Sequence, residues 1–416
     1  MNEAEPRNDE GPSSVTFASG LSWTRVALPR LLSRIGKTLF VFGALGMLAM
    51  VFPSQPLFGL ATLLGAVGWL FFLASYIVSL TQTSFGGGLI GSKDELVILK
   101  GTTRRVIPIA KIAGALVVER MVGGVAVPTV EIELTNGDRL TARIPAQHAP
   151  ELIVRTLGFG PGGRKVHAAL AKPTRRLLHP LFAFAAYAAG VTVVMLCATA
   201  FPNEGNAFEL AFAAYPPVTL FLYALLQHFV RAPEVTVGDD GVAMRVHGRT
   251  RMIARRDIAF VGAPLAGVLA VEEHSGKRTA ITSVLLDHAR VAAVTRLIGQ
   301  RAGPSAATAD RFVHYDRAGR ALAAWRDHLA HAMNDASYRH NAATVDEAAS
   351  VLRSGQATPE QRIGAALALR VAGQPPERIR VAAASAVDER VRVALEAVAD
   401  AEDDVVIEKA LKRLQS

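Results

Sequence analysis

The sequence predicts a membrane α+β protein: four transmembrane helices as two hairpins, two small cytosolic β-barrel or β-sandwich domains, and a C-terminal α-helical repeat or bundle. Three observations predict it. Four nearly uncharged apolar runs, at 35–52, 57–80, 180–201 and 207–230, each come close to the roughly 20 residues a helix needs to cross a bilayer. A basic, β-like string, "RRVIPIAKI" from Arg104, returns in altered form as "RMIARRDI" from Arg251. From about Gly303 onward the chain turns alanine-rich, charged and helical in pattern.

Half of the 416 residues are hydrophobic, only 6% are aromatic, and the formal net charge is +9. No charge sits at the centre of any apolar run, where one would cost roughly 2.5 to 3.5 kcal/mol on insertion. The start, "MNEAEPRNDEGPSS", is acidic and polar, unlike a secretory signal, and predicts a disordered tail over 1–24. The one cysteine, Cys197, falls in the third run, so no intrachain disulfide forms.

Charge sets the expected topology. Arg25, Arg30, Arg34 and Lys37 precede or open the first run. Arg164, Lys165, Lys172, Arg175 and Arg176 precede the third, and Arg231 follows the fourth. The connections inside each hairpin lack lysine and arginine, which predicts a bacterial inner-membrane, multi-pass protein with N-terminus and C-terminus cytoplasmic.

In "VPTVEIELTNGDRLTARIP", Val130, Ile132 and Leu134 alternate with Glu131 and Glu133, Asn136-Gly137 interrupts, and Leu140, Ala142 and Ile144 resume the alternation. Asn-Gly supplies the positive φ angles of a tight hairpin turn. "APELIVRTLGF" then spaces Leu152, Ile153 and Leu157 as a helix does. The second copy keeps this order: Ser275-Gly276 takes the turn, and "DHARVAAVTRLIG" parallels "QHAPELIVRTLG", with His288-Ala289 matching His148-Ala149. An internal duplication follows.

This arrangement, with Ile107, Pro108, Ile109 and Ile112 before the Asn-Gly hairpin, resembles bacterial pleckstrin-homology-like membrane proteins. The resemblance spans about 35–300. It implies paired membrane helices ahead of a small β domain closed by a helix: hairpins at 25–82 and 173–231, β domains at 83–160 and 232–302, and a linker at 161–172. In the second copy Arg255 and Arg256 stand where Ile109 and Ala110 stand in the first, which leaves the strand alignment open there.

The remainder, 303–416, reads as a HEAT-like helical region, with a helical bundle as the alternative. Thr358 with Gln361, and Thr344 with Glu347, form capping boxes, with Pro359 at the first helical position. "RIGAAL" at Arg362 recurs as "RIRVAA" at Arg378 and "RVRVAL" at Arg390. Units too short to bury a face alone must stack.

Chemistry leaves few marks. "GGGLIGSK" fails as a phosphate loop because Ser92 separates Gly91 from Lys93, and reads as a glycine hinge. "GFGPGGRK" reads as a linker. His328 and His331 lie one helical turn apart beside Asp327, with His340 beyond, but a metal needs a third ligand that the spacing does not supply. No nucleophile motif is present. No enzyme activity and no cofactor or metal are expected, and no nucleic-acid reading motif accompanies the positive charge.

The sequence therefore predicts a non-catalytic membrane scaffold whose region 303–416 binds a protein partner, with Arg362, Arg378, Arg380, Arg390 and Arg392 as candidate contacts. The alternative is a sensor or regulator that binds anionic membrane lipids through Arg104, Arg105, Lys111, Arg249, Arg251, Arg255 and Arg256, at roughly 1 kcal/mol per basic residue near a headgroup surface.

Overall fold

A computed structural model describes residues 15–24, 82–92, 94–144, 149–160, 162–171, 233–246, 248–262, 268–282, 286–301, 312–334, 344–400 and 404–415, with scattered positions within 31–78 and 185–225. The first unit contains strands β1 (Val15–Thr24), β2 (Gln82–Gly91), β3 (Glu95–Lys100), β4 (Thr103–Pro108), β5 (Ile112–Val122), β6 (Val125–Leu134) and β7 (Arg139–Arg143), closed by helix α1 (Pro150–Thr156). All seven strands form one antiparallel sheet in the order β4-β3-β2-β1-β7-β6-β5.

The second unit repeats the plan. It has β8 (Val166–Ala169), β9 (Glu234–Val237), β10 (Gly241–Val246), β11 (Arg249–Ala254), β12 (Ile258–Gly262), β13 (Val268–Glu273), β14 (Arg278–Thr282) and helix α2 (His288–Arg301). Its strands form two antiparallel sheets, β11-β10-β9-β8 and β12-β13-β14.

Matching backbone hydrogen bonds fix the correspondence between the units. Ile109 N donates to Asp94 O at 2.9 Å, and Arg255 N to Asp240 O at 2.8 Å. Thr135 N reaches Lys111 O at 2.9 Å, as His274 N reaches Asp257 O at 2.8 Å. The two hairpin glycines, Gly137 and Gly276, hold φ of 83° and 78°, the left-handed region the turn demands. The alignment left open at Arg255 is therefore regular: Ile109–Lys111 and Arg255–Asp257 are the same 3₁₀ turn.

In both copies the first strand precedes the apolar stretch rather than following it. β1 pairs with β2 across residues 25–81, and β8 with β9 across 170–233. Val15–Thr24, expected within a disordered tail, is thus a strand, and so is Val166–Ala169, expected in a linker. The glycine-rich "GGGLIG", expected as a hinge, lies in β2.

The expectation of four transmembrane helices in an inner-membrane protein is corrected: among the described residues no helix is long and apolar enough to cross a membrane. The longest described helix, α2, has 14 residues, about 21 Å of rise against a hydrocarbon core of roughly 30 Å. The runs at 35–52, 57–80, 180–201 and 207–230 lie outside the described residues apart from scattered positions, as do Cys197, His148 and His340.

Both β units share one hydrophobic core, which runs from Leu21 and Trp23 through Val130, Ile132 and Leu140 to Val235, Leu269 and Val294. A second core belongs to the C-terminal helices, α3 (Leu322–Asn334), α4 (Val345–Arg353), α5 (Pro359–Val371), α6 (Glu377–Ser385), α7 (Glu389–Ala399) and α8 (Asp404–Gln415). α4 packs on α5 and α6 on α7, while α4 meets α6 and α5 meets α7, so the helices stack as pairs. Their starts follow sequence chemistry: Thr358 and Gln361 complete a reciprocal capping box on α5, and the Thr344 hydroxyl accepts from Glu347 N on α4.

Candidate functional site

Two clusters of buried charge hold the molecule together, one between the β units and one between the second unit and the helices. The first is built on β6. Strand alternation puts Val130, Ile132 and Leu134 toward the core and turns Glu131 and Glu133 to the opposite face, which ordinarily meets water. Here that face is covered by α2 and β8, and Glu131 is 3% exposed. Arg290 on α2, 1% exposed, donates from Nε to Glu131 Oε2 at 2.6 Å and from Nη1 to Ala169 O at 2.6 Å. Arg120 on β5 bonds Glu131 Oε1 at 3.0 Å and approaches Asp287 Oδ2 at 2.8 Å. Burial alone would push the Glu131 carboxyl up, but Arg290, Arg139 and Arg120 together hold it below the ordinary glutamate range.

The second cluster forms where the β9–β10 turn, "GDDG" at 238–241, meets the helical region. Asp240 accepts from Val387 N at 2.7 Å and Asp388 N at 2.8 Å, so one carboxylate takes up free backbone donors just before α7. Asp239 N donates to Ser385 O at 3.3 Å, and Lys165 N to Ala384 O at 3.2 Å. Arg301, at the end of α2, donates to Asp239 Oδ1 at 3.1 Å, Gly160 O at 3.0 Å and Arg164 O at 2.7 Å. Those carbonyls come from the segment read as a linker, which therefore also serves as an acceptor shell.

Arg255 and Arg362 complete this joint. Arg362 donates from Nε to Leu352 O at 3.0 Å, and its Nη1 stands 4.0 Å from Asp240 Oδ2. Burial, reinforced by Arg301 and opposed by Asp239, lowers the Arg255 guanidinium to about 10, so it stays charged at neutral pH. Burial likewise pulls Arg301 and Arg362 down and pushes the Asp239 carboxyl up despite its arginine neighbours.

The joint tolerates no added bulk at Gly238, where a Cβ would lie 2.2 Å from Ser385 O and 2.5 Å from Val387 Cγ2. Gly238→Ala should therefore destabilise the docked helical region by about 1 to 3 kcal/mol. Hydrogen exchange would check this, and faster exchange is expected in α6 and α7 with β2 to β7 unchanged.

The basic residues expected to meet lipid scatter over two edge strands in different sheets and the two 3₁₀ turns. Arg104 and Arg105 are exposed on β4, the first 3.5 Å from Glu95 and the second stacked 4.2 Å over Trp23. Lys111, Arg249 and Arg256 are exposed, Arg256 lying 3.8 Å from Asp257, and Arg251 is half-buried and paired with Glu273. Arg255 is 3% exposed and faces the joint, so it is not a surface contact. Among the expected partner contacts Arg362 is likewise buried, at 1%. Arg380 pairs with Asp400 at 2.8 Å, Arg390 with Asp388 at 3.3 Å, and Arg392 with Glu396 at 2.6 Å. Arg378 is exposed on α6.

His328 and His331 do not gather ligands. His331 Nδ1 lies 2.9 Å from Asp327 O, and among the described residues no group of three His, Cys, Asp or Glu is placed to hold a metal ion. A groove between β5, α1 and α2, lined by Leu116, Val154, Phe159 and Leu297 with Arg155 and Arg296 at its rim, encloses about 70 Å³. That is well below the roughly 300 to 1,000 Å³ of small-molecule sites.

Sequence reasoning missed Arg290, Glu131, Asp239, Asp240 and Arg301. The available signals were two glutamates on the polar face of a strongly patterned strand and two adjacent aspartates in a glycine-flanked turn. Comparison with protein-family models, curated proteins and solved structures finds no match, so the function of this chain must be read from its own residues.

Proposed function

We propose that the protein is a non-catalytic scaffold, in which the duplicated β body holds the helical region 303–416 in a fixed orientation for a protein partner. The observation that carries this reading is the division of the helical region into an inner and an outer side. Its inner side is tied to the β body by Asp239, Asp240 and the buried arginines. Its outer side leaves apolar surface uncovered: Val381 on α6 is 50% exposed beside Arg378 and Arg380, and Val371 at the end of α5 is 40% exposed. An exposed aliphatic residue one helical turn from the exposed Arg378 suits an interface whose rim meets acidic side chains.

The seven strands and closing helix of each unit support a pleckstrin-homology-like reading of the β body. Headgroup binding has less support, because the exposed cations sit apart on β4, β11 and the two 3₁₀ turns.

The test is quantitative co-purification with the full chain and with a Val381→Asp, Arg378→Glu variant, both confirmed to unfold at the same temperature. At least a tenfold loss of specific partners from the variant is expected. Identical partner sets for the two chains would remove the outer face of α6 from the reading.

A further inference from the structure

The charge at the joint does not balance among its own residues. Arg255, Arg301 and Arg362 meet Asp239 and Asp240, three cations against two anions. Arg301 places both terminal nitrogens on acceptors, although its Nε and Asp239 Oδ2 find no partner, whereas Arg255 and Arg362 place no terminal nitrogen on one. They are 3% and 1% exposed, and neither Nη1 nor Nη2 of either side chain finds a protein acceptor. Both flank the same turn: Arg362 bonds Leu352 O, and the Arg255 side chain lies against Gly355, where a Cβ would fall 2.7 Å from its Cγ. Charged donors buried without acceptors are among the costliest arrangements a fold can hold.

The first β unit supplies an internal control. Its 3₁₀ turn carries Ile109 at the position of Arg255, equally buried at 2% exposed. The turn itself therefore accepts an aliphatic side chain, and the arginine answers a requirement of the joint.

We propose that this joint binds a small inorganic oxyanion of the phosphate or sulfate class, gripped between the guanidinium forks of Arg255 and Arg362. A planar fork presents paired N–H donors that match two oxygens of a tetrahedral anion. A monoanion brings the cluster of three arginines and two aspartates to neutrality. The four terminal nitrogens are shut off from solvent, so the occupant is the free ion and not a phosphate group on a larger molecule. It enters as the helical region docks, and it then clamps that region to the β body.

The experiment uses the full chain, purified and dialysed without phosphate or sulfate, with inorganic phosphate as the probe. Calorimetry should find one phosphate per chain, and the unfolding midpoint should rise saturably by about 3 to 5 °C at a hundredfold excess over Kd. Sodium chloride of equal ionic strength should leave the midpoint unchanged. Arg255→Ile, which places the first unit's residue in the second, should fold and lose the shift, while Lys277→Gln in the exposed β13–β14 turn keeps it. The proposal falls if Arg255→Ile retains the full shift. It falls equally if the unaltered chain responds saturably to neither phosphate nor sulfate, which would leave water as the partner of these arginines.

Discussion

Replacing Arg290 by methionine should destabilise the β body by about 3 to 5 kcal/mol in denaturant unfolding, a large share of the stability of any domain. Methionine fills much of the arginine volume, so the loss is electrostatic. Glu131, Glu133 and Ala169 O lose their shared donor, and Glu131 remains 3% exposed with Arg120 and Arg139 as its remaining cations. The same network predicts acid sensitivity. The folded Glu131 carboxyl titrates below its unfolded value of 4.5, so its contribution is present above that pH. It is lost as pH falls through the lower folded value. Denaturant midpoints measured from pH 6 downward should therefore drop below about pH 4.5, and the drop should be smaller in Arg290→Met. A variant within 1 kcal/mol of the parent would show that Arg290 adds no net stability to the joining of the two units, which keeps the Arg120–Asp287 pair.

Trp325→Ala should remove about 3 to 5 kcal/mol, but from a different part of the molecule. Trp325 is fully buried in the helical core with Tyr315, Leu329 and Ile363, and that core shares no residue with the one under the β sheets. Limited proteolysis should then release fragments of 312–415 from the variant while the β body persists. Loss of both regions together would mean that the two cores unfold as one cooperative unit.

The second β unit was legible where local chemistry decides conformation. The Ser275-Gly276 turn and the helix opened by His288 follow from residues within a few positions of each other, as does the Thr358 capping box. The register of the 3₁₀ turn, left open by the sequence, rests instead on bonds from Arg255 N to Asp240 O and from His274 N to Asp257 O. Partners distant in the chain were not legible. "VTFASGLSWT" alternates no more strongly than many loops, and its claim to be a strand rests on β2 and β7. Glu131 and Glu133 look like the wet face of a hairpin until α2 covers them.

The membrane reading rested on the composition of runs that, apart from scattered positions, lie outside the described residues, and among the described residues no helix is long and apolar enough to cross a membrane. At Arg255 the sequence departed from its own repeat, and that departure marked the joint.

The placement of the first strand in each unit also bears on how the chain folds. β2 to β7 and β9 to β14 connect through short turns, so their pairings form between near neighbours at little entropic cost. β1 and β8 must find β2 and β9 across residues 25–81 and 170–233. Closing a long connection adds only about 0.6 kcal/mol per doubling of length, but it delays the encounter. Each unit therefore condenses first from its later strands, and its earliest-synthesised strand arrives last. In the first unit that late strand is the one joining β2 to β7, so the seven-stranded sheet exists only after the final step of its assembly.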